Sequence, residues 1–337
     1  MAIDSGAFSP KQFRVAIAEQ DDWGTITPAS GSPDNDWLEI DIDSVSSPVL
    51  NVVQVAEPRA GSRITNATDF FQDNKNKVIE IAVSGTLTTE IGDLLLSNWS
   101  QGDSVVYGIA SNIAVQNMTS ATVNQTANQL LSLQIVSPTT NKALGFKDVF
   151  CTALTFSGDA GTEGGRIKFS ATFKTGSIPD LSLADIAIDT IHSANFDTMS
   201  AWDADDRIIC GHANVLVNSF SLNLENDVTF AGITATGFES ASRLSEIIAT
   251  ADFSIKYDGN TDLMFENFHD QASGSAEGAT LMSHTTAPAD GTFGFAMANS
   301  VITSLAFNEG DIMMLDVSVK ALGNGIGSST KLVSIGI

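Results

Sequence analysis

The sequence is poor in cationic, aromatic and sulfur-bearing residues. Of its 337 residues only 16 are Lys or Arg, against 40 Asp or Glu, so the net charge is −24. A chain with so few cations cannot grip nucleic acid by neutralising phosphates. It also contains only two Tyr, four Trp and two Cys. Two cysteines supply neither a disulfide framework nor a Cys-rich metal site. We expect Cys151 and Cys210 to be buried, reduced thiols, with a disulfide between them as the alternative.

Long apolar runs are also missing. No run approaches the length that spans a bilayer, and residues 1–30 lack a basic start followed by an apolar core. We therefore expect no membrane partner, no signal peptide and synthesis in the cytoplasm. Because 43% of the residues are hydrophobic, the chain can still bury a substantial core.

Patterns typical of enzymes and metal sites are weak. The four histidines are isolated and lack metal-ligand spacing. The segment 258–262, DGNTD, lacks the glycine and the distant glutamate of a calcium loop, so we interpret it as a turn. The glycine-rich runs 158–165 and 321–329 accompany β segments rather than a phosphate loop. The sequence predicts no catalytic residue, no cofactor and no metal, although a carboxylate pair of the glycosidase kind stays an alternative. The histidines are His192, His212, His269 and His284.

A switch from strand to helix stands out at residues 78–99. Apolar and polar residues alternate over 78–87, which predicts a strand with one buried face. Apolar residues then recur at helical spacing, from Ile91 to Trp99. Thr88 or Thr89 can cap this short helix, and Glu90 suits its positive end.

A similar order of events recurs in the second half. Residues 149–158 and 166–176 predict a long hairpin with a glycine-rich acidic tip. Strand patterns over 213–227 and 250–257, a short helix over 263–268 and a hairpin over 300–308 and 312–323 follow. We interpret this as two copies of one unit. The predicted organisation is an N-terminal arm (1–44) with one short strand near 13–18, a first β domain (45–176), a linker (177–212) that could hold an amphipathic helix over 181–194, and a second β domain (213–337).

Several short strings resemble a known family. FRVAIAEQDDWGTITP (13–28), AEPRAGS (56–62), the strand and helix of 78–99 and the hairpin of 149–176 look like the tail tube proteins of long-tailed bacteriophages. The duplication resembles the subset whose chain carries two tube domains. The resemblance implies a mainly β fold, a β-sandwich or β-barrel with a short flanking helix in each of two tandem copies.

The resemblance also implies a structural role without catalysis. Trimeric, pseudo-hexameric rings would stack into a hollow conduit in the virion tail. The partners would be other copies of the chain, the tape measure, baseplate and terminator proteins, and viral DNA that passes without sequence-specific binding. An acidic or neutral lining would repel phosphate and let DNA slide.

The residues expected at interfaces are few and charged or polar. We expect the arm, with Asp34 and Asp36, to contact a neighbouring ring. Asp159, Thr162 and Glu163 at the hairpin tip would reach an adjacent subunit, and Arg59 and Arg63 would pair with acids across an interface. Two alternatives stay open: a secreted or surface-layer β-repeat protein, and another ring-forming tail component such as a terminator or baseplate hub.

Overall fold

The computed structural model describes residues 13–20, 22–26, 37–40, 42–46, 53–56, 70–73, 78–100, 112–116, 130–136, 142–162, 165–184, 207–243, 246–259, 261–265, 268, 278–282, 293–308, 312–323 and 331–336. These residues form a mainly β protein, which confirms the predicted class. One sheet of 17 strands contains most of the described residues, and two hairpins form separate two-stranded sheets.

The elements up to residue 184 are eleven strands and one helix. They are β1 (Arg14–Gln20), β2 (Leu38–Ile40), β3 (Ile42–Val45), β4 (Val53–Ala56), β5 (Phe70–Asp73), β6 (Ile79–Thr86), α1 (Thr89–Ser100), β7 (Asn112–Gln116), β8 (Leu130–Val136), β9 (Lys142–Asp159), β10 (Lys168–Thr175) and β11 (Asp180–Ala184).

The elements from residue 207 onward are all strands. They are β12 (Ile208–Ile209), β13 (His212–Ala213), β14 (Val217–Glu225), β15 (Thr229–Thr234), β16 (Gly237–Ser242), β17 (Ile248–Lys256), β18 (Gly278–Met282), β19 (Gly294–Asn308), β20 (Met314–Ala321) and β21 (Lys331–Gly336).

Antiparallel ladders connect these strands into one long run. Its order is β3-β6-β10-β9-β14-β17-β20-β19, so the ladder between β9 and β14 joins the two halves of the chain. The first part of β9 also pairs with β8 and β11, and the first part of β19 pairs with β18 and β21. A second connection between the halves is the ladder of β21 with β7.

The alternating pattern at 78–87 produces β6, as predicted. Ile79, Ile81 and Val83 are buried, whereas Glu80 between them is exposed. Helix α1 follows at once and buries Ile91, Leu95 and Trp99. All these apolar side chains belong to one core cluster, which also takes in Phe220, Phe253 and Phe295 of the second half.

The described part of the predicted arm differs from expectation. Val15 and Ile17 of β1 and Ile40 of β2 lie in the main core, and β1 pairs with β8 along its whole length. Trp37 is fully buried as well. The reason is that β1 is apolar on both faces, from Val15 to Ala18, so it occupies a position inside the sheet. These described residues therefore pack into the core of the same chain.

The sequence predicts two further short helices. The proposed helix over 181–194 is wrong at its start, because 180–184 forms β11 and pairs with β9. Near the predicted helix of 263–268, Met264, Phe265 and Phe268 have helical conformation. Both cysteines are buried and free, as expected.

Candidate assembly surface

The ladder between β9 and β14 is the main junction between the two halves. It runs from Ser219 opposite Asp159 to Glu225 opposite Ala153. Leu154 and Phe156 of β9 face the core and are fully buried beside Leu222 and Leu224. On the other face, the Thr155 hydroxyl donates to the Asn223 side-chain oxygen over 3.0 Å. The junction is therefore apolar on one face and polar on the other.

A partly buried arginine connects the segments at the end of this junction. The guanidinium of Arg243 donates hydrogen bonds to the backbone carbonyls of Asn98, Cys151 and Asn226. The Asn226 side chain in turn donates to the Trp99 carbonyl over 2.7 Å. These bonds join the end of α1, strand β9 and the segment after β14, so each half supplies part of the cluster.

Burial governs the titration of this cluster. Burial raises the pKa of the Cys151 thiol to about 12, and the charge of Arg243 offsets part of that rise. Burial also lowers the pKa of Arg243 to about 10. The thiol therefore stays protonated and unreactive at neutral pH, which marks Cys151 as a packing residue.

The hairpin β15–β16 covers a surface of the first half. Phe230 lies edge-on to Phe150 with ring centroids 5.7 Å apart, and Trp23 contacts Phe150 from another side. A bridge joins Ser177 to Gly237. Gly237 has φ +130°, and a Cβ there would lie 2.5 Å from the Gly176 carbonyl oxygen. Glycine at 237 is thus required by both conformation and space.

The last part of β19 forms an edge with a different environment. Among the described residues, 304–308 of this strand pair only with β20. Phe307 is 48% exposed although it contacts Tyr257 and Phe265, and Met313 beside it is 45% exposed. At the other end of the run, β3 pairs only with β6 within the described part of the chain. The backbone N–H and C=O groups at such an edge can pair with another strand.

The non-core face of the long sheet is rich in hydroxyl and amide groups. Asn223 donates to Asp252 over 3.1 Å, and Ser318 donates to the other oxygen of Asp252 over 2.6 Å. Four lysines of this face each have an acidic partner in the same chain, at distances between 2.7 and 3.6 Å. These pairs are Lys168 with Asp43, Lys174 with Asp227, Lys256 with Asp258, and Lys320 with Glu246.

Two of the residues predicted at interfaces lie within the described ranges. Asp159 ends β9 opposite Ser219, and its carboxylate accepts from the Gly161 amide over 2.7 Å. Thr162 is exposed in the turn that follows. The structure thus brings Asp159 to the junction within the chain. The other predicted residues, Glu163, Arg59, Arg63, Asp34 and Asp36, lie outside the described residues.

Sequence reasoning missed the residues that distinguish the junction from the edge. Arg243, Phe307 and Asn308 carry no motif, because their importance depends on which strands are neighbours. A signal was nevertheless present in the alignment of IDSVS (42–46) with VNSFS (217–221). That alignment relates β3 to β14, the strand that covers β9.

An open cleft of about 490 Å³ is lined by Gly24, Lys147, Asp180 and Thr236 among others, and the Lys147 ammonium donates to the Gly24 carbonyl over 2.6 Å. Within the described ranges, no three His, Cys, Asp or Glu side chains are grouped as a metal ion would require. None of the helices described is long and apolar enough to span a membrane.

Neither the comparison with protein-family models nor the search of curated proteins finds a match to this chain.

Proposed function

We propose that this chain is a tail tube subunit with two tandem tube domains, whose copies form stacked rings around a passage for viral DNA. The observation that carries the proposal is the ladder between β9 and β14, in which an edge of the first half is closed by strand β14 of the second half. Copies that repeat this junction around a ring would leave no sheet edge open.

The strand pairings support the proposed duplication. Each ladder within 207–336 has a counterpart within 13–184 in the same order. The ladders of β14, β17, β20 and β19 correspond to those of β3, β6, β10 and β9, and β18 and β21 flank β19 as β8 and β11 flank β9. The small ladders of β12 with β13 and β18 likewise correspond to those of β1 with β2 and β8.

Irregularities in the ladders recur at matching positions. The register of β10 with β9 shifts after Thr172, and that of β20 with β19 shifts at the corresponding Ser318. Both ladders also end at matching pairs, Ser157 with Lys168 and Asn308 with Met314. Because a bulge is a specific local feature of a strand, its recurrence favours one unit encoded twice over two unrelated sheets.

The non-core face supports the proposed passage. Its lysines are paired with acids of the same chain, so they offer phosphate few free cations. Its central side chains are Ser, Thr, Asn and Asp, which form hydrogen bonds with one another. A surface of this composition repels phosphate or does not bind it, so DNA can slide along it. The remaining parts of the proposal are three chains per ring, a place in the virion tail, and contacts with tape measure, baseplate and terminator proteins.

Electron microscopy of the purified full-length chain tests this function. We expect rings with a central hole that stack into tubes as protein concentration rises, with six similar sectors per ring. Salt should favour assembly, because it screens the repulsion between chains of charge −24. Single rings that never stack would favour the terminator or baseplate alternative. Monomers without annular packing at every concentration and ionic strength would contradict the proposal.

A further inference from the structure

The two ends of the long sheet are complementary to each other. Its run begins with β3 and ends with the last part of β19, and within the described residues each has one free side. Strand β3 corresponds to β14, and β19 corresponds to β9. The chain therefore carries, as two separate open edges, the same two strands that it joins internally between β9 and β14.

We infer that a second copy of this chain closes the edge, with β3 of one copy pairing antiparallel to β19 of the next and Asn308 opposite Ser46. This inference rests on the proposed function and deepens it, because it names the strands and the register of the seam. The occupant is another copy, since the matching edge exists on the chain itself.

The register follows from the internal junction. Ser157 of β9 lies opposite Ser221 of β14. Asn308 corresponds to Ser157, because both begin their ladders with the next strand, opposite Met314 and Lys168 respectively. Ser46 corresponds to Ser221, because the ladders of β3 with β6 and of β14 with β17 share a register shift, between Ile42 and Ser44 and between Val217 and Ser219.

Exposure at the edge agrees with a missing partner. Phe156 and Ile167 in the first half are fully buried, whereas their counterparts Phe307 and Met313 are 48% and 45% exposed. The same backbone hydrogen bond occurs beside the aromatic residue in each half. The Leu87 amide donates to the Ile167 carbonyl, and the Tyr257 amide donates to the Met313 carbonyl. The local backbone is thus alike, and β14 covers the first edge whereas no described strand covers the second.

The geometry of the seam makes it accessible to crosslinking. The Ala160 amide donates to the Asn218 carbonyl over 2.9 Å in the same register as the β9–β14 ladder. Since hydrogen-bonded pairs alternate in an antiparallel ladder, Ser157 and Ser221 form a non-hydrogen-bonded pair, in which side chains approach closely. Asn308 and Ser46 inherit that geometry, and a disulfide between cysteines at the two positions is feasible.

The test is oxidation of the assembled full-length S46C/N308C variant, analysed on non-reducing gels. We expect a ladder of covalent oligomers that ends at the number of chains in the ring. The matched control, S157C/S221C, should form its disulfide within one chain and yield no covalent dimer. S44C/N308C, displaced by two residues, should crosslink at least ten-fold more slowly. Ser46 and Asn308 are both exposed, so cysteines there can be oxidised, whereas the native Cys151 and Cys210 are buried.

The outcomes separate the seam from the function. Microscopy could show rings while S46C/N308C fails to crosslink, or while S44C/N308C crosslinks faster. Either result would overturn the inferred seam but leave the proposed ring assembly supported. A crosslinked ladder without an upper limit, accompanied by open filaments, would support the seam and overturn the closed ring. An absence of both crosslinks and rings would overturn both, provided that the S157C/S221C control closes and so confirms the fold.

Discussion

Strand β9 of 18 residues and strand β19 of 15 residues share three corresponding neighbours and the position of a bulge, yet their environments differ. β9 is covered by β14, and its Leu154 and Phe156 are fully buried. β19 ends at an edge where Leu305 is half-buried and Phe307 is 48% exposed. A residue's burial in this fold therefore depends on which strand lies beside it and only partly on its own type.

This comparison bears on stability and assembly separately. At the internal junction, apolar contacts are available to a single chain and contribute to its folding. At the edge, equivalent side chains remain partly exposed to water until another strand pairs there, so their further burial can drive association instead. Substitutions at matched positions should thus have different effects on folding and on assembly.

The largest difference is expected between Phe156 and Phe307. Phe156→Ala should lower the free energy of unfolding by about 3–5 kcal/mol, because it leaves a cavity in a packed core. Phe307→Ala should lower it by only about 1 kcal/mol, since half of the side chain is already exposed. Urea denaturation of dilute, unassembled protein measures both values. Equal losses would mean that the edge is closed within one chain.

Replacing Arg243 should weaken the internal junction. Arg243→Met leaves three backbone carbonyls without their donor, and we expect a loss of about 2–4 kcal/mol in unfolding free energy. Arg14→Met is the control, because Arg14 forms a partly exposed pair with Glu39 that is worth less than about 1 kcal/mol.

The thiol of Cys151 reports on the same cluster. Its pKa of about 12 should keep it unreactive toward a disulfide reagent at pH 8 in the native protein. Arg243→Met should increase its rate of modification, because the junction opens more often. An unchanged rate together with unchanged stability would contradict the assignment of Arg243 to the junction.

The contact of hairpin β15–β16 with the first half should be sensitive to one methyl group. Gly237→Ala places a Cβ against the Gly176 carbonyl at positive φ, and we expect a loss of about 1–3 kcal/mol. Gly259→Ala is the matched control, since no atom lies within 4 Å of its Cβ position. Thermal melts of the two variants compare them directly, and similar melting temperatures would argue against close docking of the hairpin.

The sequence predicted local features well and neighbours poorly. Alternation from Ile79 to Val83 and helical spacing from Ile91 to Trp99 are properties of adjacent residues, and both elements form where expected. The pairing of β9 with β14 joins residues far apart in the chain, which periodicity does not encode. The polar residues around β1 predict an arm, although the residues of β1 itself are apolar on both faces.

The candidate assembly surface was predictable in outline only. The repeated order of strand, helix and hairpin indicated that edges would need partners. Only the strand pairings show which strands lie at an edge, because Phe307 and Phe156 both occur in alternating patterns of the same kind. The positions of charged residues predicted interfaces less well. Asp159 lies at the junction within the chain, and the sequence does not predict the pairing of Lys174 with Asp227.

The smallest effect is expected from the pair Lys174–Asp227 beside the junction. The hydrogen bond from Lys174 lowers the pKa of Asp227 below its ordinary value of 3.8, against the opposing effect of burial, and the Val228 amide adds to the lowering. Because the folded carboxylate is the stronger acid, its contribution to stability is present above pH 3.8 and is lost as the pH falls below that value.

Lys174→Gln should therefore flatten the fall in stability below pH 3.8, as measured by urea denaturation across the acid range. The change should be slight, since the Asp227 side chain is 59% exposed and water screens the pair. Lys320→Gln is the matched control, because Lys320 occupies the corresponding position in the second hairpin and pairs with Glu246 instead. If both variants flattened the profile equally, general loss of positive charge would account for it, and the Lys174–Asp227 contact would not.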